Sequence, residues 1–187
     1  NISRKDQDLF AYNSQMKAAK AQAEGRFDEE IVSVEIPQRK KDPIIFSKDE
    51  FIRANTSLEV LAKLRTVFKK DGGTVTAGNA SGLNDGAAAM LLASEKGMKE
   101  NKLTPIAEIV SSAVVGVEPR IMGIGPVKAS KKALEKAGLT MKDMDIIELN
   151  EAFSAQALAC IREWGLEDND PIINPNGGAI ALGHPLG

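Results

Sequence analysis

From Leu103 onward, runs rich in valine and isoleucine alternate with stretches patterned as helices. That alternation restricts the possible folds more than any other feature of the chain. Residues 107–117 read as a strand. Pro126 opens a helix through Ala129, Ala133 and Ala137, and Gly138 closes it. Residues 145–149 read as a second strand. Asn150 follows where strand gives way to helix and is expected to be the N-cap. That helix carries Phe153, Ala157, Cys160 and Trp164 at spacings of four, three and four, and Gly165 ends it. Ile172 and Ile173 lead into a glycine-rich terminal turn. Strands alternating with helices of this length imply an α/β layered domain, and no internal repeat is visible.

The first half is less regular. Ser3 and Asp6 form a capping-box pattern. Leu9, Tyr12, Met16, Ala19 and Ala23 then trace one helical face, Gly25 suits the helix end, and Lys17, Lys20 and Gln22 mark a solvated face. Residues 31–36 alternate as a short strand stopped by Pro37. Helix starts are expected at Ser47 and at Thr56-Ser57, the second helix running through Leu58, Leu61, Leu64 and Phe68 to Gly72-Gly73. Residues 87–93 suit a helix by alanine content or a strand buried on both faces. The strand is favoured, because Ser94 looks like the cap of a new helix.

Composition excludes several classes of function. The 187 residues are 43% hydrophobic and 27% charged, as in ordinary globular proteins. With 24 Lys+Arg against 26 Asp+Glu there is no charge imbalance to draw nucleic acid or an anionic membrane. No apolar run approaches the roughly 18 residues of a membrane span, and no metal site is expected. The lone cysteine, Cys160, allows no internal disulfide and agrees with a reducing, cytoplasmic compartment. The chain starts at Asn1 and stops just after a glycine-rich turn, and it is read as a fragment of a longer protein.

Chemistry concentrates in four stretches. The single histidine, His184, lies between Gly183 and Pro185, and the proline biases it toward extended backbone. A proton carrier for neutral pH within a wall of small residues suits an active site. A glycine-rich turn whose histidine only bonds backbone is the plain alternative. Asn150 sits at the end of a strand, where α/β sheets bind ligands, and its amide could hold a water or an oxyanion as well as cap a helix. The stretch 74–86, dense in glycine, asparagine and serine, fits neither a Walker loop nor a dinucleotide fingerprint. Residues 122–126 form another glycine loop before a helix. Cys160 falls inside an apolar helix face with nothing to activate its thiol.

In order and spacing, Asn79-Ala-Ser-Gly-Leu-Asn-Asp-Gly-Ala-Ala-Ala89, Met122-Gly-Ile-Gly-Pro126, Asn150-Glu-Ala-Phe153 and the stretch from Asn174 to Gly187 resemble the thiolase family. Within that family the closest look is to acetyl-CoA acetyltransferases. The resemblance implies a layered αβαβα fold of two similar halves, present here incompletely. Residues 1–83 correspond to the later part of an inserted loop region, 84–104 to the end of the N-terminal half, and 105–187 to an incomplete C-terminal half. It supports the strand at 87–93.

The implied reaction is reversible Claisen condensation of two acetyl-CoA, or thiolysis in reverse. Acyl-CoA and CoA are then substrates, no further cofactor is needed, and the complete protein is a homodimer or homotetramer. By the same resemblance, His184 activates a nucleophilic cysteine and helps to hold the thioester oxyanion, and Asn150 holds an oxyanion-site water. Ser81 contacts the pantetheine arm, Arg53 lies near the CoA moiety, and Met122, Ala152 and Phe153 line the pocket. Both family cysteines fall outside the chain and Cys160 matches neither, so the isolated chain is expected to be inactive. The alternatives are a longer-chain 3-oxoacyl-CoA thiolase of fatty-acid or aromatic-acid breakdown and a non-catalytic CoA-binding scaffold. A decarboxylating synthase fits less well, because that group usually has histidine where Asn150 stands.

Overall fold

The computed structural model describes residues 2–185, which divide into two compact units, residues 2–83 with 145–184, and residues 84–144 with Pro185. The first unit is built around helix α1, Arg4–Ala23. Ser3 caps it as expected: its hydroxyl accepts from the Asp6 N–H and the Asp6 carboxylate accepts from the Ser3 N–H. Gly25 follows with φ +71°, a conformation that favours glycine.

The buried face of α1 is not the expected one. Leu9 is 44% exposed, whereas Gln7, Ala11, Ser14, Ala18 and Ala21 are buried. Lys17, expected in solvent, is half-buried and donates to the Ile173 carbonyl at 2.6 Å. Hydrophobic periodicity misses this face because polar side chains occupy much of it: Ser14 and Gln15 bond Glu151 and the Ile180 carbonyl, while the Gln7 amide bonds the Ile2 and Ser3 carbonyls at the helix start. Arg4 pairs with Asp8 at 2.7 Å and also donates to the Leu61 carbonyl at 2.6 Å.

After α1 come the short strands β1, Val34–Ile36, and β2, Ile44–Phe46, paired antiparallel with Glu35 opposite Ile45. No helix starts at Ser47; residues 47–57 run irregularly. Helix α2 is capped by Ser57 but covers only Leu58–Ala62, so Phe68 lies outside it. The chain turns back instead, with the Val67 N–H donating to the Val75 carbonyl.

Residues 145–149 contribute a single parallel bridge, Ile147 to Ile173, rather than a strand. Helix α3 spans Glu95–Asn101 and α4 spans Gly125–Ala137, both in the second unit. Helix α5 spans Ser154–Glu163, and its N-cap is Phe153, not Asn150. The short helix α6, Ala179–Leu182, completes the first unit. Helices α1, α5 and α6 enclose its core, where Ala18, Leu158, Ile161, Ile173 and Ala181 are buried.

In the second unit, Ser94 caps α3 and Gly138 closes α4 with φ +70°, both as expected. Residues 87–93 and 107–117, expected as strands, have no regular structure, and none of the described residues of this unit is buried. A strand needs neighbours for its backbone groups and cover for its faces, and no described residue forms a β-ladder with these segments, whose Ser112 and Val114 carbonyls accept from Lys136 and Lys132 instead. No described helix is long and apolar enough to cross a membrane.

Candidate functional site

Three of the motifs meet in the first unit. The segment 79–82 lies between the other two. Its Asn79 carbonyl accepts from the Ser154 N–H at 2.9 Å, and its Ser81 N–H donates to the Ala152 carbonyl at 3.1 Å. At the far end of the segment, the Gly82 carbonyl accepts from the His184 N–H at 3.2 Å. The Ser81 hydroxyl also donates to the Ala152 carbonyl, at 3.2 Å. Asn79 is fully buried and holds this segment to α1: its amide donates to Asp8 at 2.8 Å and to the Thr74 carbonyl, while its oxygen accepts from the Thr76 N–H.

The outcome is a direct contact between side chains 34 residues apart, with Asn150 Nδ2 3.1 Å from His184 Nε2. An amide NH2 only donates, so a hydrogen bond between the two forms in the tautomer whose ring proton sits on Nδ1, whereas with the proton on Nε2 both nitrogens are donors. Asn150 is exposed and His184 half-buried, so both remain open to a ligand. Phe153, 37% exposed, borders this region with its ring edge-on to Phe68. An open depression beside Asn150 is lined by Glu148, Gly178, Leu182 and Gly183.

Two further expected binding residues are placed as follows. Arg53 is exposed in the first unit, where its backbone N–H donates to Gln15 Oε1 at 2.6 Å; the Gln15 amide in turn donates to the Ile180 carbonyl. Met122 belongs to the second unit and is 74% exposed in the 3-10 turn at Pro119–Ile124. Cys160 is fully buried in α5, and burial raises its thiol above the ordinary range, the opposite of what a nucleophile needs. Among the described residues no cluster of acidic, histidine and cysteine side chains could hold a metal.

Sequence reasoning passed over the groups that hold the site in place. Glu151, 1% exposed, accepts from the Ser14 hydroxyl at 2.6 Å, the Asn174 amide at 2.9 Å and the Ile180 N–H at 3.1 Å. Burial raises its carboxyl above the ordinary value, against the lowering effect of these donors and of Lys17. Glu151 stands inside the Asn150-Glu-Ala-Phe153 motif, which was a signal, but a charged residue between strand and helix reads as surface. Ser14, within an apparently amphipathic helix, carried no signal.

These motifs sit in a chain that matches the thiolase N-terminal domain over residues 1–96 and the thiolase C-terminal domain over residues 103–187. The chain belongs to the thiolase family. It is 60% identical over 186 residues to a β-ketoadipyl-CoA thiolase of Acinetobacter baylyi and 56% identical over 188 residues to an acetyl-CoA acetyltransferase of Chromobacterium violaceum. All of this chain is covered in both cases, with 46% and 47% of those proteins. The fold agrees with the crystal structure of the Bacillus anthracis acetyl-CoA acetyltransferase, with TM-score 0.90 and 49% identity over 99% of this chain and 46% of that one. It agrees equally with human mitochondrial 3-ketoacyl-CoA thiolase, with TM-score 0.90 and 50% identity over 100% of this chain and 46% of that one. The chain thus spans just under half the length of these relatives, and its α/β architecture is a partial thiolase fold.

Proposed function

We propose that a polypeptide of the relatives' length carrying this chain is a thiolase-type acyl-CoA C-acyltransferase. It condenses two acetyl-CoA to acetoacetyl-CoA and CoA, or cleaves acetoacetyl-CoA with CoA in reverse. The observation that carries this reading is the 3.1 Å approach of Asn150 to His184. With the ring proton on Nε2, the amide and the imidazole are two adjacent donors that can polarise a thioester oxygen and stabilise the negative charge it develops. The imidazole also suits proton transfer from a thiol near neutral pH.

In this reading the nucleophilic and acid/base cysteines come from the rest of such a polypeptide, and the 187-residue chain alone does not turn over. Removing the nucleophile removes the covalent route. Ser81, Arg53, Met122, Ala152 and Phe153 serve CoA and acyl binding, no further cofactor is required, and the assembly is a homodimer or homotetramer.

A second substrate is favoured by the relatives' names. Several are β-ketoadipyl-CoA thiolases, two of them at 60% identity, so 3-oxoadipyl-CoA is the alternative to acetoacetyl-CoA. Thiolysis of both substrates by the same preparation, compared as kcat/KM, separates these readings. His184→Ala should lower thiolysis of the preferred substrate by about 1,000-fold or more. Activity close to wild type would exclude His184 from the reaction, and a wild-type polypeptide that cleaves neither thioester would leave the CoA-binding scaffold as the better reading.

A further inference from the structure

Asn150 is exposed, yet both of its neighbours in sequence are anchored to the segment that leads into His184. On one side, Leu149 exchanges both backbone groups with the Asn174 side chain: its N–H donates to Oδ1 at 2.7 Å and its carbonyl accepts from Nδ2 at 2.8 Å. On the other side stands the Glu151 carboxylate. Its Oε2 takes the Ser14 hydroxyl and the Ile180 N–H, and its Oε1 takes the Asn174 amide. Ser14 Oγ also receives the Gly178 N–H at 3.1 Å, so one hydroxyl links the carboxylate to the glycine pair.

Those glycines are pressed close. A Cβ on Gly177 would come within 2.7 Å of Ala18 Cβ and 2.8 Å of the Ser14 carbonyl. A Cβ on Gly178 would overlap the Glu151 carboxylate and lie 2.6 Å from the Asn174 amide. One buried carboxylate therefore joins α1, the Asn150 loop and the first turn of α6, and His184 follows two residues after α6 ends.

We infer that Glu151 is a positioning residue for the proposed thiolase reaction: through Ser14, Asn174 and Ile180 it sets the separation of Asn150 and His184. This inference rests on the proposed function, but its mechanical content can be read without activity. Three donors point at the carboxylate, so in Glu151→Gln the new NH2 group faces at least one donor whichever way the amide turns. Volume is kept and charge is lost.

The test uses the relatives-length polypeptide, with the ring nitrogen signals of His184 assigned by their loss in His184→Ala. Glu151→Gln should lower kcat by about 100-fold, the scale of a small misplacement of catalytic groups. KM should stay within about threefold, since binding in ground and transition states is not removed equally, and the His184 ring shifts should move. Ring shifts identical to wild type would overturn the inference, with or without a fall in kcat. Should Glu151→Gln fail to fold, Ser14→Ala removes one hydrogen bond from the carboxylate and one from Gly178. It should shift the same ring signals and lower kcat by about tenfold, and unchanged signals in that variant also count against the inference. If the wild-type polypeptide cleaves no 3-oxoacyl-CoA, the proposed function fails, while the ring signals still decide whether Glu151 positions His184.

Discussion

The two units of this chain begin from the same pattern of apolar runs and capped helices and end differently. In the first, residues far apart in sequence close on one another: α1 lies against α5 and α6, and a buried polar network fills the seam. In the second, the helices form where their caps predict, yet Met90, Leu91, Val110 and Val114 stay more than two-thirds exposed. Helix formation is decided locally, by caps and by bonds within one segment. A strand of a parallel sheet is decided by its neighbours. The chain spans under half of its relatives' length, and within the described residues those neighbours are missing.

That contrast can be sharpened first at the site itself. Asn150→Ala in the relatives-length polypeptide should lower kcat by about 100-fold, the loss expected for one oxyanion donor. Its melting temperature should barely change, because Phe153 and not Asn150 occupies the N-cap. A variant that mainly loses stability would return Asn150 to a structural role.

Glycine substitutions compare the units more directly. Gly178→Ala places a methyl against Glu151 and Asn174 and should cost about 1–3 kcal/mol in denaturant unfolding. Gly116→Ala, in the second unit, meets nothing within 4 Å and should be neutral within about 0.5 kcal/mol. Equal effects would mean that the close packing of the first unit is no tighter than the second.

The smallest effect concerns pH. Burial raises the Glu151 carboxyl above 4.5, so the folded chain holds this proton more tightly than the unfolded chain does. The contribution of this group to stability is therefore greatest in acid. It falls as pH rises from about 4.5 through the raised value and is level above it. The melting-temperature difference between wild type and Glu151→Gln should accordingly shrink across that window. A difference that stays constant would show that Glu151 does not change protonation there.

Local rules carried the reading where a single segment holds all the information. Ser3 and Ser94 cap helices as their positions suggest, and Gly25 and Gly138 end them with positive φ. The same rules failed at Asn150, which has the residue type of a cap but stands three residues before the true one, in a loop held by Asn174. They failed again at Phe68, because α2 stops when the chain turns back toward Val75. On α1, Gln7, Asp8, Ser14 and Gln15 lie off the apolar face traced by the sequence and are buried. A buried polar group is tolerable only when its partner is supplied, and those partners come from residues as distant as Ile180 and Glu151.

By itself, then, the sequence determined the helix starts at Ser3, Ser57 and Ser94, the family and the motif residues Ser81, Asn150 and His184, since each is written in a short run of residues. Only the tertiary structure decided that segment 79–82 lies between the other two motifs, that Asn150 meets His184 rather than capping α5, and that Glu151 is buried at the centre of the network beneath them. The reason is physical: a hydrogen bond between residues 34 or 137 positions apart leaves no periodic trace in the chain. It exists only once α1 and the terminal glycines have closed over the carboxylate.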